Sequence, residues 1–269
     1  MQPAEPSRCR VVVDADACVP FEVRAALRIA VTPAEPELLM ERVPIPRLAL
    51  ERFPFEGTDV ARMCAAVAEP GEAVIYVQTG DDYGSPADAP EAARAAVEAR
   101  GAMFHLVATN ATLMGAGWAA VVAAEAAASG ATPEAAADLA RSAATRTQVI
   151  AMLEHPEVAG VIAPSLYVSP NRMVTMLEGG VITTLSALPK RQDALVALRD
   201  QFAARVRAES GRPRIAIQHS SSGPAAEAMA LWCTRNLDAA EVVIAPITRH
   251  EAARLGPGFV AIAWLRADV

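Results

Sequence analysis

The amino-acid sequence predicts an α/β protein of two domains, the first a parallel sheet flanked by helices and the second a mixed sheet with hairpins. In the first half, short apolar runs alternate with alanine-rich helical segments, the pattern of a parallel sheet covered on both faces. After about Val149, short alternating runs separated by turn residues predict antiparallel pairing. The 269 residues are 53% hydrophobic, enough to build two cores.

The N-terminal domain is placed at residues 1–147. Pro20 starts its first helix after a strand, and Gly101 and Gly130 end two later helices. A short edge strand is expected near 41–43. The predicted strands are 10–13, 73–77 and 103–107, and the predicted helices are 21–29, 58–67, 86–100, 110–129 and 133–145.

The C-terminal domain is placed at residues 148–269. Its hairpin signals are Ser169-Pro170-Asn171 and Glu178-Gly179-Gly180. The helix after them carries Leu195, Leu198, Phe202 and Val206 on one face, which predicts a core contact. The predicted strands are 166–168, 173–177, 181–185, 214–218, 241–244 and 259–264, and the predicted helices are 191–209 and 224–235.

Charge and composition exclude several classes of protein. The net charge of −7 argues against a non-specific nucleic-acid binder, which would carry a basic face. The longest apolar region, 114–131, contains Glu125 and is rich in Ala and Gly, so a buried helix is expected rather than stable membrane insertion. No signal peptide is recognised, and four scattered cysteines suggest reduced thiols. We therefore expect a cytoplasmic protein.

A strand that stops at a polar loop is the first candidate site. The buried run that begins at Val74 ends at Gln78, Thr79 and Gly80, and Pro86 opens the next helix. In α/β proteins, ligands bind where strand ends face helix starts, because backbone N–H groups are free there and the helix dipole favours an anion. The loop is thus predicted to bind an anionic group.

Asp14 and Asp16 follow the first strand and allow two interpretations. Paired carboxylates at this place are typical of magnesium-dependent haloacid-dehalogenase-type phosphatases, and the segment also resembles the opening of a small PIN-like nuclease family. A phosphatase needs a cation followed by a second acidic pair, but Lys190, the only lysine, comes after Asp81-Asp82. The simpler interpretation is that Asp14 accepts backbone N–H bonds in a strand–helix loop.

Arg254 is the third candidate, because it stands just before the Gly256-Pro257-Gly258 turn. Its planar guanidinium suits a carboxylate or a phosphate. His219 precedes Ser220-Ser221-Ser222, but no nucleophile-elbow sequence accompanies this pair, so we expect the serines to cap the next helix.

Four segments together resemble the DegV family of bacterial fatty-acid-binding proteins. Residues 13–20 resemble the family's opening Thr-Asp-Ser-Thr-Ala-Asp-Leu-Pro, and residues 76–80 lie where the family has His-Ile-Ser-Ser-Gly. Residues 114–117, Met-Gly-Ala-Gly, are similar to its Met-Gly-Leu-Gly helix start. Residues 241–258 match its strand and Gly-Pro-Gly turn without a gap, with Arg254 on the family's His.

The resemblance implies non-catalytic binding of a long-chain fatty acid between the two domains. The carboxylate would be held by Gln78, Thr79 and Gly80 and by Arg254, and Phe55 would contact the ligand where the family has head-group hydroxyls. The protein would present the acid to a fatty-acid kinase, and it would need no cofactor, no metal and no catalytic residue.

Departures from the family pattern keep a second interpretation open. Residues 54–58 replace the family's Thr-Ser-Gln-Pro-Ser, Gln78 replaces its first loop serine, and Cys18 replaces its second opening Asp. A Gly-Gly-Arg segment expected near Ala159 is missing. A DegV-like scaffold with altered or lost lipid specificity is the alternative to a fatty-acid carrier.

Overall fold

The computed structural model describes residues 9–32, 56–80, 86–156 and 171–267. The chain divides into two compact units, with a break between Arg146 and Thr147. The domain bounds 1–147 and 148–269 stay a prediction.

The described part of the first unit contains a four-stranded parallel sheet. The strand order is β2-β1-β3-β4, and a helix connects each strand to the next one along the chain. Its elements are β1 (Cys9–Asp14), α1 (Phe21–Leu27), β2 (Ala30–Thr32), α2 (Gly57–Val67), β3 (Ala73–Gln78), α3 (Ala89–Glu98), β4 (Met103–Ala108), α4 (Met114–Ala128) and α5 (Pro133–Arg146), with a short 3-10 turn at Ala15–Ala17.

Helices cover this sheet on both faces, as a parallel sheet requires. Helices α2 and α3 share a core cluster with Val12, Val74 and Tyr76 of the sheet. Helix α4 packs on β1 and β3 and against α5. It is apolar on all sides because it is buried between these neighbours, with Trp118 fully enclosed.

The second unit contains a six-stranded mixed sheet in the order β7-β6-β5-β10-β8-β9. Among the described strands of this sheet, only β8 and β9 pair in parallel. Helices α6 and α7 pack on it, and Phe202 meets Trp264 edge to face at 5.1 Å between ring centroids. The elements are β5 (Gln148–Leu153), β6 (Arg172–Glu178), β7 (Val181–Leu188), α6 (Arg191–Ala208), β8 (Pro213–His219), α7 (Gly223–Asn236), β9 (Glu241–Pro246), α8 (Arg249–Leu255) and β10 (Val260–Arg266).

The predicted fold class is confirmed, and three elements were missed. Strand β2 has only three residues, too few to show a pattern, and β5 follows α5 after a single residue without a turn signal. Helix α8 is also short, and its N-cap Thr248 accepts a hydrogen bond from the backbone N–H of Glu251. The strands expected at 41–43 and 166–168 lie outside the described residues.

No helix within the described ranges is both long enough and apolar enough to cross a bilayer.

Candidate functional site

The ends of β1, β3 and β4 meet at one edge of the first sheet, because parallel strands end on the same side. The loop after β3 is held there by the segment after β4. Thr109 donates from both its backbone N–H (3.1 Å) and its hydroxyl (2.9 Å) to the carbonyl oxygen of Gln78. Gly80 donates its N–H to the carbonyl of Ala111 at 3.0 Å. The predicted head-group loop therefore has a fixed backbone.

Asp14 is the centre of a buried hydrogen-bond cluster at this edge. Its Oδ1 accepts the phenolic O–H of Tyr76 at 2.6 Å. Its Oδ2 accepts the backbone N–H of Thr79 at 2.8 Å and the Thr79 hydroxyl at 3.0 Å. Asp14 is 6% exposed, Thr79 is 1% exposed and Tyr76 is fully buried. Asp14, at the end of β1, thus fixes the side chain of Thr79, which follows β3.

Strand register explains why these residues meet. Val12 of β1 lies opposite Tyr76 of β3, and Val13 lies opposite Val77. Side chains alternate along each strand and paired residues share a face, so Tyr76 and Asp14 emerge on the same face one step apart. This face carries α2, on which Cys64 belongs to the same core cluster.

Burial and the nearby charge of Asp14 both raise the pKa of the Cys64 thiol on α2. Burial raises the pKa of the Cys64 thiol to about 12, and the charge of Asp14 adds to the shift. Three hydrogen bonds donated to a carboxyl group favour its charged form. Cys64 therefore stays a neutral, unreactive thiol.

The start of α4 closes on the same edge. Leu113, which precedes α4, donates its N–H to the carbonyl of Asp16 at 2.9 Å. Its backbone has φ 55° and ψ −150°, a combination that costs a non-glycine residue about 1–3 kcal/mol. At Gly117, an added Cβ would lie 2.4 Å from Sδ of Met114 and 3.1 Å from the carbonyl oxygen of Ala17. A side chain at this position would displace Met114 and crowd the backbone of the turn after β1, so the glycine favours the close approach of the helix.

Arg254 lies on α8 in the second unit and is paired with a carboxylate of its own helix. One of its terminal nitrogens donates to Oε2 of Glu251 at 2.6 Å. The Glu251 side chain is fully buried, whereas the Arg254 side chain is 23% exposed. The guanidinium therefore neutralises a buried glutamate, and this pair carries no net charge.

Arg191 and Arg172 form a second ion-pair cluster, which contacts the turn that follows α8. Arg191 donates to Oε2 of Glu154 at 2.5 Å, to the carbonyl of Gly258 at 2.9 Å and to the Ser222 hydroxyl at 2.9 Å. Arg172 donates to the other oxygen of Glu154 at 2.6 Å. Burial opposes ionisation of Glu154, but the hydrogen bonds from the two arginines outweigh it and hold its pKa below the ordinary value.

The structure thus brings together three of the five predicted binding residues. Gln78, Thr79 and Gly80 lie on one loop in the first unit, with Gln78 5% exposed. Arg254 belongs to the second unit, and Phe55 lies outside the described residues. The serine prediction needs a correction: Ser222 is the N-cap of α7, but its hydroxyl makes no cap bond because it accepts from Arg191 instead.

A family model described as "Uncharacterised protein, DegV family" matches residues 59–267, which is most of the chain. The chain belongs to the DegV family. No curated protein matches it.

Solved DegV structures share the fold over nearly the whole chain. A DegV family protein from Corynebacterium glutamicum is 20% identical with a TM-score of 0.70, covering 98% of this chain and 99% of its own. A DegV family protein from Thermus thermophilus, described by its fatty acid binding, is 16% identical with a TM-score of 0.77, covering 96% and 99%. A stearic acid-binding protein from Eubacterium ventriosum is 10% identical with a TM-score of 0.77, covering 96% and 98%.

For this DegV protein, the contacts of Asp14 favour a positioning role over phosphatase chemistry. Three hydrogen bonds from Tyr76 and Thr79 hold the Asp14 carboxylate, the arrangement of a residue that fixes its neighbours. In the ranges that the structure describes, no group of three His, Cys, Asp or Glu side chains could hold a metal ion. Asp14 accepts a backbone N–H, but from Thr79 after β3; its side chain does not cap the turn that follows β1, so the expected local role is wrong. Asp81 and Asp82 lie outside the described residues.

Sequence reasoning missed Tyr76 and Glu251. A tyrosine within a fully buried strand must find a partner for its hydroxyl, and Asp14 at the end of the adjacent strand was the available acceptor. Glu251 stands three residues before Arg254, the spacing of an ion pair on a helix. This spacing is visible in the sequence, but it indicates an ion pair only if residues 249–255 are predicted to form a helix.

Proposed function

We propose that this protein binds a long-chain fatty acid without transforming it, with the acid's head group at the loop formed by Gln78, Thr79 and Gly80. The proposal is supported by membership of the DegV family and by a two-unit fold similar to proteins described as binding fatty acids. The observation that carries it is the rigid strand end, where Asp14 and the segment after β4 hold Thr79 in one place.

A buried acyl chain supplies most of the affinity in this proposal. Each buried methylene contributes about 0.8 kcal/mol, so a long chain binds tightly with few polar contacts. The head-group residues then set specificity and orientation. A cytoplasmic location and delivery of the acid to a fatty-acid kinase stay predictions, as does a contact from Phe55.

The first experiment is native mass spectrometry of the purified protein, followed by delipidation and titration with saturated acids of 14 to 20 carbons. We expect a co-purified fatty acid and saturable one-to-one binding. If the folded, delipidated protein binds none of these acids, the proposal is wrong and the DegV-like scaffold with lost lipid specificity becomes the better interpretation.

Arg254 is proposed as a further head-group donor, and its pairing with Glu251 allows a sharp test. Glu251→Gln removes the competing charge, so we expect tighter binding of the acid. The double substitution Glu251→Gln with Arg254→Met removes the guanidinium as well, and we expect it to bind about 10- to 100-fold more weakly than Glu251→Gln alone, the size of a hydrogen bond to a charged group.

Arg249→Ala is the matched control, because Arg249 is an exposed arginine on the same helix. We expect it to leave the affinity unchanged. Equal affinities of Glu251→Gln and the double variant would remove Arg254 from the site and leave the loop after β3 as the proposed one.

A further inference from the structure

The loop of Gln78, Thr79 and Gly80 is held from two sides, because β3 lies between β1 and β4 in the sheet. On the β1 side, Asp14 accepts both the N–H and the hydroxyl of Thr79. On the β4 side, the first residue after the strand is Thr109, which stands one step beyond the last pair that Gln78 makes with β4. The two sides therefore restrain different atoms of the same loop.

The Thr109 hydroxyl bridges the loop and the turn after β4. It donates its single hydrogen to the carbonyl oxygen of Gln78 at 2.9 Å, and it accepts the backbone N–H of Ala111 at 3.3 Å. Its contact with the carbonyl oxygen of Ala111 is longer, at 3.5 Å, so the Gln78 carbonyl is the better acceptor. Because Thr109 is only 8% exposed, water competes little for these bonds.

Ala111 closes the circuit at the other end of the loop. Its carbonyl oxygen accepts the backbone N–H of Gly80 at 3.0 Å. The Thr109 hydroxyl thus holds Gln78 directly, and it holds Gly80 through the backbone of Ala111. One side chain restrains both ends of the three-residue loop.

The bonds of Thr79 and Gly80 use backbone donors that a ligand would otherwise meet. Thr79 donates its N–H to Asp14 at 2.8 Å, and Gly80 donates its N–H to Ala111. The expectation that the N–H groups at this strand end are free for an anion is wrong for these two residues. The loop can therefore contribute to binding through the fixed positions of its side chains, and the bonds that order it matter for affinity.

We infer that Thr109 is a positioning residue for the head group of the fatty acid, because its hydroxyl keeps the loop of residues 78–80 in the binding conformation before the ligand arrives. This inference rests on the proposed function. A loop that is ordered in advance loses little conformational entropy on binding, which raises the affinity. Thr109 acts at the head group alone, so its contribution is the same for every length of acyl chain.

Substitutions at Thr109 test the effect on binding. Thr109→Val removes the hydroxyl at nearly constant volume, and we expect the affinities of delipidated protein for myristic, palmitic and stearic acid to fall by one common factor of about three to ten, the size of one hydrogen bond. Thr109→Ser keeps the hydroxyl and should restore the wild-type affinities. Thr175→Val, which alters a buried threonine of β6 in the second unit, is the matched control and should leave them unchanged. Thr109→Ala replaces the valine variant if that protein does not fold.

Amide hydrogen exchange on the delipidated proteins tests the positioning itself. Without the Thr109 hydroxyl, Ala111 loses an anchor, so the Gly80 N–H should exchange about tenfold faster than in wild type. The Thr79 N–H keeps its bond to Asp14 and should change less. A protein that is only less stable would exchange both amides faster by the same factor, because both would open through global unfolding. The ratio of the two rates therefore separates positioning from a loss of stability.

Three outcomes overturn the inference, and they differ in what they leave standing. If Gly80 exchange is unchanged in folded Thr109→Val, or if Gly80 and Thr79 accelerate equally, Thr109 does not position the loop. Faster exchange of Gly80 alone with unchanged affinity means that the head group does not use this loop, although fatty-acid binding itself stands. If delipidated wild-type protein binds none of the three acids, the proposed function fails and the inference fails with it.

Discussion

The end of β1 in the first unit and helix α8 in the second each bury a carboxylate, and they satisfy it in opposite ways. Asp14 accepts hydrogen bonds from the neutral donors Tyr76 and Thr79, so its charge is stabilised and retained. Glu251 is paired with Arg254, so the two charges cancel. The bonds from neutral donors fix the backbone and side chain of Thr79, whereas the ion pair fixes the side chain of Arg254.

This difference decides how each region can contribute to binding. If a head group binds at the proposed loop, the Asp14 cluster contributes by orientation, because it fixes the Thr79 hydroxyl. The Glu251–Arg254 pair can gain a ligand contact only when the guanidinium shares its donors between Glu251 and the ligand.

The largest expected effect comes from Arg254→Ala, which removes the guanidinium that pairs with the fully buried Glu251. Removal of one partner of a buried ion pair costs about 3–5 kcal/mol. Urea denaturation should show this loss. The Glu251→Gln, Arg254→Met double variant should recover most of it because no buried charge remains. A loss below about 1 kcal/mol in Arg254→Ala would mean that Glu251 does not depend on this pair.

A smaller effect is expected from Asp14→Ala, because the partners named above are neutral. The Tyr76 hydroxyl and the Thr79 N–H would lose their acceptor, and we expect a loss of about 2–4 kcal/mol in the free energy of unfolding. Tyr76→Phe removes one donor and leaves the Thr79 bonds in place, so it should cost about 1 kcal/mol. Equal losses in the two variants would contradict a central role for Asp14.

An effect smaller than that of Asp14→Ala is expected at Glu154, whose arginine partners are partly exposed. We expect Glu154→Gln to cost about 1–3 kcal/mol at neutral pH. Because the folded-state pKa of Glu154 lies below its ordinary 4.5, the stability it contributes is present above that value and is lost as pH falls through the folded-state pKa.

Denaturation curves at neutral pH and near pH 3 check this prediction, since the difference between wild type and Glu154→Gln should shrink in acid. A difference that stays constant over this range would contradict the role of the carboxylate charge. Exposed Glu98 on α3 offers a control, because Glu98→Gln should change stability little at either pH.

Periodicity and turn residues were enough to predict the parallel first sheet, the mixed second sheet and most helices. The core face of α6 is confirmed, with Leu198, Phe202 and Val206 buried. The prediction missed β2 and α8 because they are short, and it missed β5 because no turn residue separates that strand from the preceding helix. Three residues of strand, or a strand joined directly to a helix, do not differ locally from a loop.

Of the candidate site, the sequence alone determined the polar loop at Gln78, Thr79 and Gly80, since its position after a buried strand is a local property. Only the tertiary structure decided what those side chains contact. The bonds from Thr79 and Tyr76 to Asp14 join residues more than 60 positions apart, and they depend on the register between β1 and β3. Local sequence determines which residues stand at a strand end, but strand pairing determines which hydrogen bonds they already make and therefore what they can still offer a ligand.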